Sequence, residues 1–280
     1  MQISLQGVEE TLVMPLWSRA KLTREGSPIL YDALALEIVA KLGYDFSRLE
    51  RDFPPINVLV NAVRARMLDD TICRFLADHP RAAVVNLGAG LDTTFSRVDN
   101  GSLQWYDLDL PEVIELRRAI IPERARSRSI AGSLFDMSWA GEIDHTEDGL
   151  LFISGGVLLY FREVEVRALF ASLAGRFPGS EIVFDALSRL SAFMGNRVIK
   201  KVGFASAPMR WALGDARRLT RWDGRFLVLE QYPLFSRITR DPSWGHRVLQ
   251  QVNAFDRLRA ATIVHLRFCG GPAGSGSRRG

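Results

Sequence analysis

A mostly apolar run at 82–87 leads into Leu87-Gly88-Ala89-Gly90, followed by Leu91-Asp92-Thr93. Glycines at such a point let backbone approach a ligand closely, and a helix opening just after them offers unpaired N–H groups. A turn that cradles a pyrophosphate wants a third glycine or alanine three residues after the second, and that position is Thr93. The spacing therefore favours a ligand that needs only tight contact with Gly88, Ala89 and Gly90. About twenty residues further on stand Asp107 and Asp109, in Trp105-Tyr106-Asp107-Leu108-Asp109-Leu110-Pro111, where an acid can take both hydroxyls of a ribose. For one of the two the competing role is to cap the helix that Pro111 opens.

Groups able to move a proton are few. His79 reads as a helix end and His265 lies within a strand, with His145 between them; His246, in an open loop, is the candidate general base. Tyr160 falls just past the fourth apolar run, on the side where ligands gather in open α/β sheets. Its hydroxyl can orient an acceptor, or its ring can pack under the next helix. Cys73 and Cys269 show neither framework nor metal-type spacing and read as buried thiols in a reducing compartment. No metal constellation is visible.

These residues need a scaffold. From residue 81 short apolar runs alternate with helical patterns, as a parallel sheet with crossover helices requires. Strands are expected near 82–87, 103–108, 127–131, 149–154, 181–186, 225–231 and 261–268, and helices near 92–98, 111–121, 163–175 and 189–201. The fold class is α/β: a Rossmann-like, seven-stranded, mostly parallel sheet with helices on both faces. Ahead of it, apolar residues at three- and four-residue spacing over 29–46 and 56–76 predict two amphipathic helices in an N-terminal extension or lid, residues 1–80. The core spans 81–270, with a helical insertion at 189–222. Its Phe193, Phe204, Met209 and Trp211 suit either a flat apolar ligand or a core. Residues 271–280 read as a flexible tail.

Composition narrows the partners. An apolar share of 47% with 24% charged residues describes a globular chain of 280 residues. The formal charge of +4 comes mostly from arginines interspersed with acids, lysine appearing only at 21, 41, 200 and 201. The nearest candidate for a nucleic-acid face, 210–225, carries two aspartates and reads as a solvated face, so no nucleic-acid partner is expected. The longest apolar run, 150–161, is too short for a bilayer span, and no secretory leader pattern opens the chain; the expectation is a cytoplasmic protein.

Taken together, several segments resemble the leucine carboxyl methyltransferase family, which includes bacterial tetracenomycin-type polyketide O-methyltransferases. They are Val84-Val85-Asn86-Leu87-Gly88-Ala89-Gly90-Leu91-Asp92-Thr93, Tyr106-Asp107-Leu108-Asp109-Leu110-Pro111, Gly132-Ser133-Leu134-Phe135-Asp136 with Trp139, and Gly155-Gly156-Val157-Leu158-Leu159-Tyr160. Arg64 with Asp69-Asp70, and residues 29–35, also fit, so the resemblance covers about 12–235. It implies a class I fold and S-adenosylmethionine as cofactor, converted to S-adenosylhomocysteine. It implies that Gly88 and adjacent backbone contact the methionine part, and that Asp109, with or without Asp107, takes the ribose. Ser133 and Leu134 would flank adenine, and Arg64 would pair with the methionine carboxylate; Lys21 matches a basic residue of the family's N-terminal segment. The chain departs from the family at Gly155, where many members carry a glutamate.

The function this implies is O-methyl transfer to a carboxylate or hydroxyl of a small molecule, of polyketide or other secondary-metabolite type. A carboxylate needs no base, whereas a phenol or alcohol benefits from one. Two alternatives stay open: a cofactor-binding protein without transfer activity, and an NAD(P)-dependent oxidoreductase. The glycine spacing and the lack of a Tyr-x-x-x-Lys constellation speak against the latter.

Overall fold

The computed structural model describes residues 9–144, 146–201, 208–241 and 244–270. Its helices are α1 (Glu9–Arg24), α2 (Ala33–Lys41), α3 (Ser47–Asp52), α4 (Pro55–Asp78), α5 (Phe95–Val98), α6 (Pro111–Ile120), α7 (Glu163–Arg176), α8 (Arg189–Lys201) and α9 (His246–Arg257). Its strands are β1 (Ala83–Leu87), β2 (Gln104–Asp109), β3 (Ser127–Ala131), β4 (Leu150–Ser154), β5 (Glu181–Leu187), β6 (Phe226–Pro233) and β7 (Ala261–Phe268). They form one sheet in the order β3-β2-β1-β4-β5-β7-β6. The first five are parallel, and β7 runs antiparallel to both β5 and β6. This is the expected Rossmann-like α/β architecture, with β7 inserted antiparallel between β5 and β6.

Both faces of the sheet are covered, which is why the central strands are apolar without alternation. In β1, Val84 points into one core and Ala83, Val85 and Leu87 into the other; in β4, Leu151 and Ile153 part in the same way from Leu150 and Phe152. The first core takes in Val13, Leu16, Trp17 and Ala20 of α1 and Ala62, Val63 and Ile72 of α4, so the N-terminal helices share it with one sheet face. The second lies under α7, through Val166, Leu169, Phe170 and Leu173.

Several local expectations are corrected. The pattern over 29–46 is broken at Gly43, whose φ of +59 ends α2 before α3 begins. α1 and α9 went unread. Cys73 is exposed on the outer side of α4 and Cys269 is partly exposed, so neither is a buried thiol. In the 210–225 stretch Arg217 and Arg225 fold back onto Asp215 and Asp223 at 2.9 and 2.6 Å. No described helix is long and apolar enough to cross a membrane. The tail, Phe204 and His145 lie outside the described residues.

Candidate active site

The chain winds outward in opposite directions from β1 and β4, and at that switch point an open α/β sheet leaves a crevice beyond its strand ends. A cavity of about 1000 Å³ fills it. Gly88 and Gly90 on its floor have φ of +75 and +48. A Cβ at Gly88 would come within 2.7 Å of Val157, and one at Gly90 within 2.9 Å of Leu12, so both must be glycine. The Gly88 and Ala89 amides both donate to the Leu108 carbonyl, at 2.8 and 3.1 Å. The Gly90 amide donates to Asp109 Oδ2 at 2.7 Å and the Asp92 amide to the Ala89 carbonyl at 2.9 Å. The expected helix at 92–98 shrinks to the single turn of α5. These donors are spent inside the protein, so the turn offers a smooth backbone surface and no nest for a pyrophosphate.

Asp109, the last residue of β2, lines the cavity, with Oδ1 accepting from the Leu110 amide at 2.8 Å. Burial pushes its carboxyl above the usual range, against the two amides that favour its charge. Asp107 does not reach the cavity. Two residues deeper in the strand, it accepts from Arg117 Nη2 at 2.6 Å and from Asn86 Nδ2 at 3.0 Å. Arg117 in turn donates to the Gly90 and Asp92 carbonyls at 3.0 and 2.7 Å. Asp107 thus holds the turn from behind, which removes it from the ribose-binding set.

Arg64 reaches the opposite wall from α4. Its Nη1 lies 3.4 Å from Asp185 Oδ2 at the end of β5, and its Nη2 donates to Asn61 Oδ1 at 3.2 Å. Lys21 does not line the cavity, because it pairs with Glu25 at 2.8 Å and Glu50 at 3.4 Å on the outside of α1. Arg19, two residues earlier, is the basic residue of this segment that faces inward. Its Nη2 donates to the Leu91 carbonyl at 3.1 Å and its Nε to Asp32 at 2.9 Å.

Gly132, Ser133, Leu134 and Phe135 line the side nearest β2 and β3, where the Ser133 hydroxyl accepts from the Phe135 amide. Gly155 and Gly156 continue the wall after β4. A Cβ at Gly155 would lie 2.9 Å from Leu68 Cδ1, so in this chain an apolar side chain occupies the space beside the missing carboxylate. Tyr160 lines the cavity near Arg64 and Asp185, and its hydroxyl has no hydrogen-bond partner among the described residues. Burial raises its pKa, Arg64 opposing, so the group stays a protonated donor at neutral pH.

His246 is not in an open loop. It begins α9, is exposed, bonds Gln250 of its own helix at 2.8 Å and is absent from the cavity wall. That removes it as a base. Replacing His246 or Lys21 by alanine should leave S-adenosylhomocysteine affinity within about twofold by calorimetry, as for other surface changes; a loss of about tenfold would return that residue to the site.

Sequence reading missed Asp185, Arg19 and Asn86. Asp185 interrupts the apolar run that follows Glu181 in β5, and that interruption is a usable signal. Arg19 belongs to a buried network: Asp32 accepts from Arg19, Arg97 and Thr93, and Arg97 chelates Asp69 at 2.7 and 3.0 Å. Burial opposes ionisation of Asp32, but Arg19 and Arg97 outweigh it and hold its carboxyl below the usual range. The network ties α1, α2 and α4 to the loop just after the glycine turn and to α5.

S-adenosylmethionine fits this donor set. A glycine floor that tolerates no Cβ suits a backbone-hugging chain, Asp109 at a strand end suits a ribose diol, Leu110 and Leu134 suit a purine, and Arg64 suits a carboxylate. Comparison with known proteins agrees. The leucine carboxyl methyltransferase family model matches residues 12–174, more than half of the chain. The tetracenomycin polyketide synthesis O-methyltransferase TcmP of Streptomyces glaucescens is 33% identical over 220 residues, spanning 78% of this chain and 79% of its own. The S-adenosyl-L-methionine-dependent methyltransferase dpfgK of Gibberella zeae is 31% identical over 256 residues, 82% and 86% of the two chains. Among solved structures, a DUF574 family protein from Streptomyces avermitilis superposes with a TM-score of 0.57 at 13% identity, over 90% of this chain and 96% of that one. The plantazolicin methyltransferase BpumL, in complex with S-adenosylhomocysteine, does so at 0.51 and 12% identity, over 94% and 100%. At such identities these two show the shared fold. The chain belongs to the leucine carboxyl methyltransferase family and is an S-adenosylmethionine-dependent methyltransferase.

Proposed function

We propose that the enzyme methylates an oxygen, hydroxyl or carboxylate, of a flat apolar small molecule of polyketide type. The observation that carries this is the far end of the cavity. Beyond the polar groups its wall turns apolar, with Leu190, Met194 and Val198 from α8, Met209, Phe255 from α9 and Leu258 just after it. Pockets for such ligands combine an apolar lining with a few polar groups. Trp211 is buried against Phe184 instead, so it belongs to the core, while Phe193 is exposed beside Arg197. The name of the Streptomyces relative, tetracenomycin polyketide synthesis O-methyltransferase, points the same way.

In this reading residues 1–80 close one side of a core spanning 81–270, and the insertion at 189–222 supplies the acceptor wall together with residues of and after α9. The cofactor supplies an electrophilic methyl group on a sulfonium. The protein's part is chiefly to align an acceptor oxygen with that methyl and keep water out. Asp109 holds the ribose, Leu134 and the Ser133 backbone flank the adenine, Gly88, Ala89, Gly90 and Gly155 line the methionine chain, and Arg64 pairs with its carboxylate. Tyr160 donates its free hydroxyl to the acceptor and orients it.

Incubation with cofactor and a panel of aromatic phenols and aromatic carboxylic acids, read by mass spectrometry, tests the reading. Methylation at oxygen is expected. Binding of S-adenosylhomocysteine with no transfer to any member would favour a cofactor-binding protein without transfer activity. Against an accepted substrate, Tyr160→Phe should lower kcat/KM about tenfold, the worth of one hydrogen bond, with S-adenosylhomocysteine affinity unchanged. An unchanged kcat/KM would make the ring a packing element.

A further inference from the structure

Two opposite charges sit side by side in the cavity wall, and only one of them has a role in the reading above. Arg64 and Asp185 have side chains 12% and 5% exposed. Their closest atoms are 3.4 Å apart, looser than the 2.6 and 2.7 Å of Arg117–Asp107 and Arg97–Asp69 nearby. Asp185 is held by more than the arginine, since its Oδ1 accepts from the Gly156 amide at 2.5 Å. Gly156 has φ of +76, and a Cβ there would lie 2.8 Å from Arg64 Nη1, so the glycine lets the guanidinium rest on the backbone beside the carboxylate. Both side chains are fixed, and both face the cavity.

A carboxylate that accepts one amide and one long ion pair keeps lone pairs for another donor. The amino-acid end of the cofactor carries an ammonium next to its carboxylate. If Arg64 takes the carboxylate, a buried ammonium left without an acceptor would cost heavily. The other cavity carboxylates lie away from Arg64, and Asp109 is assigned to the ribose. Asp109 serves the Gly90 and Leu110 amides across the site, and Asp92 serves Asn86 and Thr94. Asp185 alone among the described cavity acids adjoins Arg64. Adjacent charges of opposite sign complement a zwitterion laid against them in the opposite sense.

We infer that Asp185 anchors the cofactor's ammonium, forming with Arg64 a two-charge clamp that reads the zwitterionic end of the ligand. The inference rests on the reading that Arg64 meets the carboxylate, and the test separates the two. Asp185→Asn keeps the side-chain shape and the acceptor for Gly156. Its affinity is measured by calorimetry, with no turnover needed, for S-adenosylhomocysteine, its decarboxylated analogue (5′-aminopropylthioadenosine), its deaminated analogue (5′-carboxypropylthioadenosine) and 5′-methylthioadenosine.

Losses of about tenfold or more are expected for the two amine-bearing ligands, a typical effect of removing a hydrogen bond to a charged group. The deaminated analogue and methylthioadenosine should bind as to the wild type, the latter also reporting that the site is folded. A loss that follows the carboxylate, sparing the decarboxylated analogue, would overturn the inference and make Asp185 a support for Arg64. Equal losses on all four ligands, or none, would also overturn it. Failure of the Arg64 reading shows separately, as an Arg64→Ala variant that binds the deaminated analogue as tightly as the wild type does.

Discussion

Arg64→Ala should weaken S-adenosylhomocysteine binding about a hundredfold. Truncating one partner of a buried, hydrogen-bonded charge pair typically costs about 2–5 kcal/mol, much of it from the charge left behind. Both components act here. The ligand carboxylate loses the planar donor fork that suits it, and it is left buried without a countercharge, whereas Asp185 loses its partner in the free and the bound variant alike. Arg64→Lys should recover only part of the loss, since an ammonium supplies a point charge and no fork. Calorimetry reads the affinity, and thermal melting of the ligand-free variant checks that the loss is not unfolding. A change under about threefold in a folded variant would mean the cation contributes nothing to the ligand.

Asp32→Asn should destabilise the fold by about 3 kcal/mol or more at neutral pH, the usual cost of stranding a buried charge. Its carboxylate is fully buried and is shared by Arg19 Nε at 2.9 Å, Arg97 Nη1 at 2.8 Å and Thr93 Oγ1 at 2.6 Å; it also caps α2 through the Ala35 amide at 3.0 Å. An amide can keep the cap but not the charge. Arg97 retains Asp69, whereas Arg19 is left with the Leu91 carbonyl, the Thr93 hydroxyl at 3.5 Å and Asp92 at 4.0 Å. Because the folded pKa of Asp32 is depressed below its ordinary 3.8, the stability from its ionisation is complete above that value. It is lost as pH falls through the depressed one. The gap between variant and wild type in urea unfolding should therefore be constant from pH 7 to about 5 and shrink in stronger acid. A gap under about 1 kcal/mol at pH 7 would show that the network is dispensable.

The sheet was readable because its strands are buried on both faces and separated by turn residues. Runs such as Ala83–Leu87 and Leu150–Ser154 have no competing helical period. α1 was not, for a related reason. Val13, Met14, Leu16, Trp17 and Ala20 are buried, but so are Ser18, Arg19 and Thr23, and a helix enclosed nearly all round shows no clean stripe. That concealment also misdirected the basic residue. Lys21 and Arg19 are two positions apart, which on a helix means nearly opposite faces. α9 carries Val248, Val252 and Phe255 at helical spacing, but the polar residues between them dilute the stripe, and His246 at its start does not stand out as helical in the sequence.

In the site, the glycine turn and Asp109 were legible because a backbone conformation and a strand end leave marks in sequence. Asp107 lies on the same strand face, and only the register that sets it beside Asn86, with Arg117 reaching over from α6, shows that it is engaged from behind. Asp185 meets Arg64 across 121 positions of chain, a distance no local pattern spans.

The central claim is that the crevice over β1 and β4 holds the cofactor by its backbone floor and one guanidinium. Calorimetric titration of S-adenosylhomocysteine into the wild type and Arg64→Ala, side by side, tests it most directly. Micromolar one-to-one binding to the wild type, falling about a hundredfold in the variant, is the expected result. Wild-type binding matched by a folded Arg64→Ala protein, or no binding to the wild type at all, would contradict it.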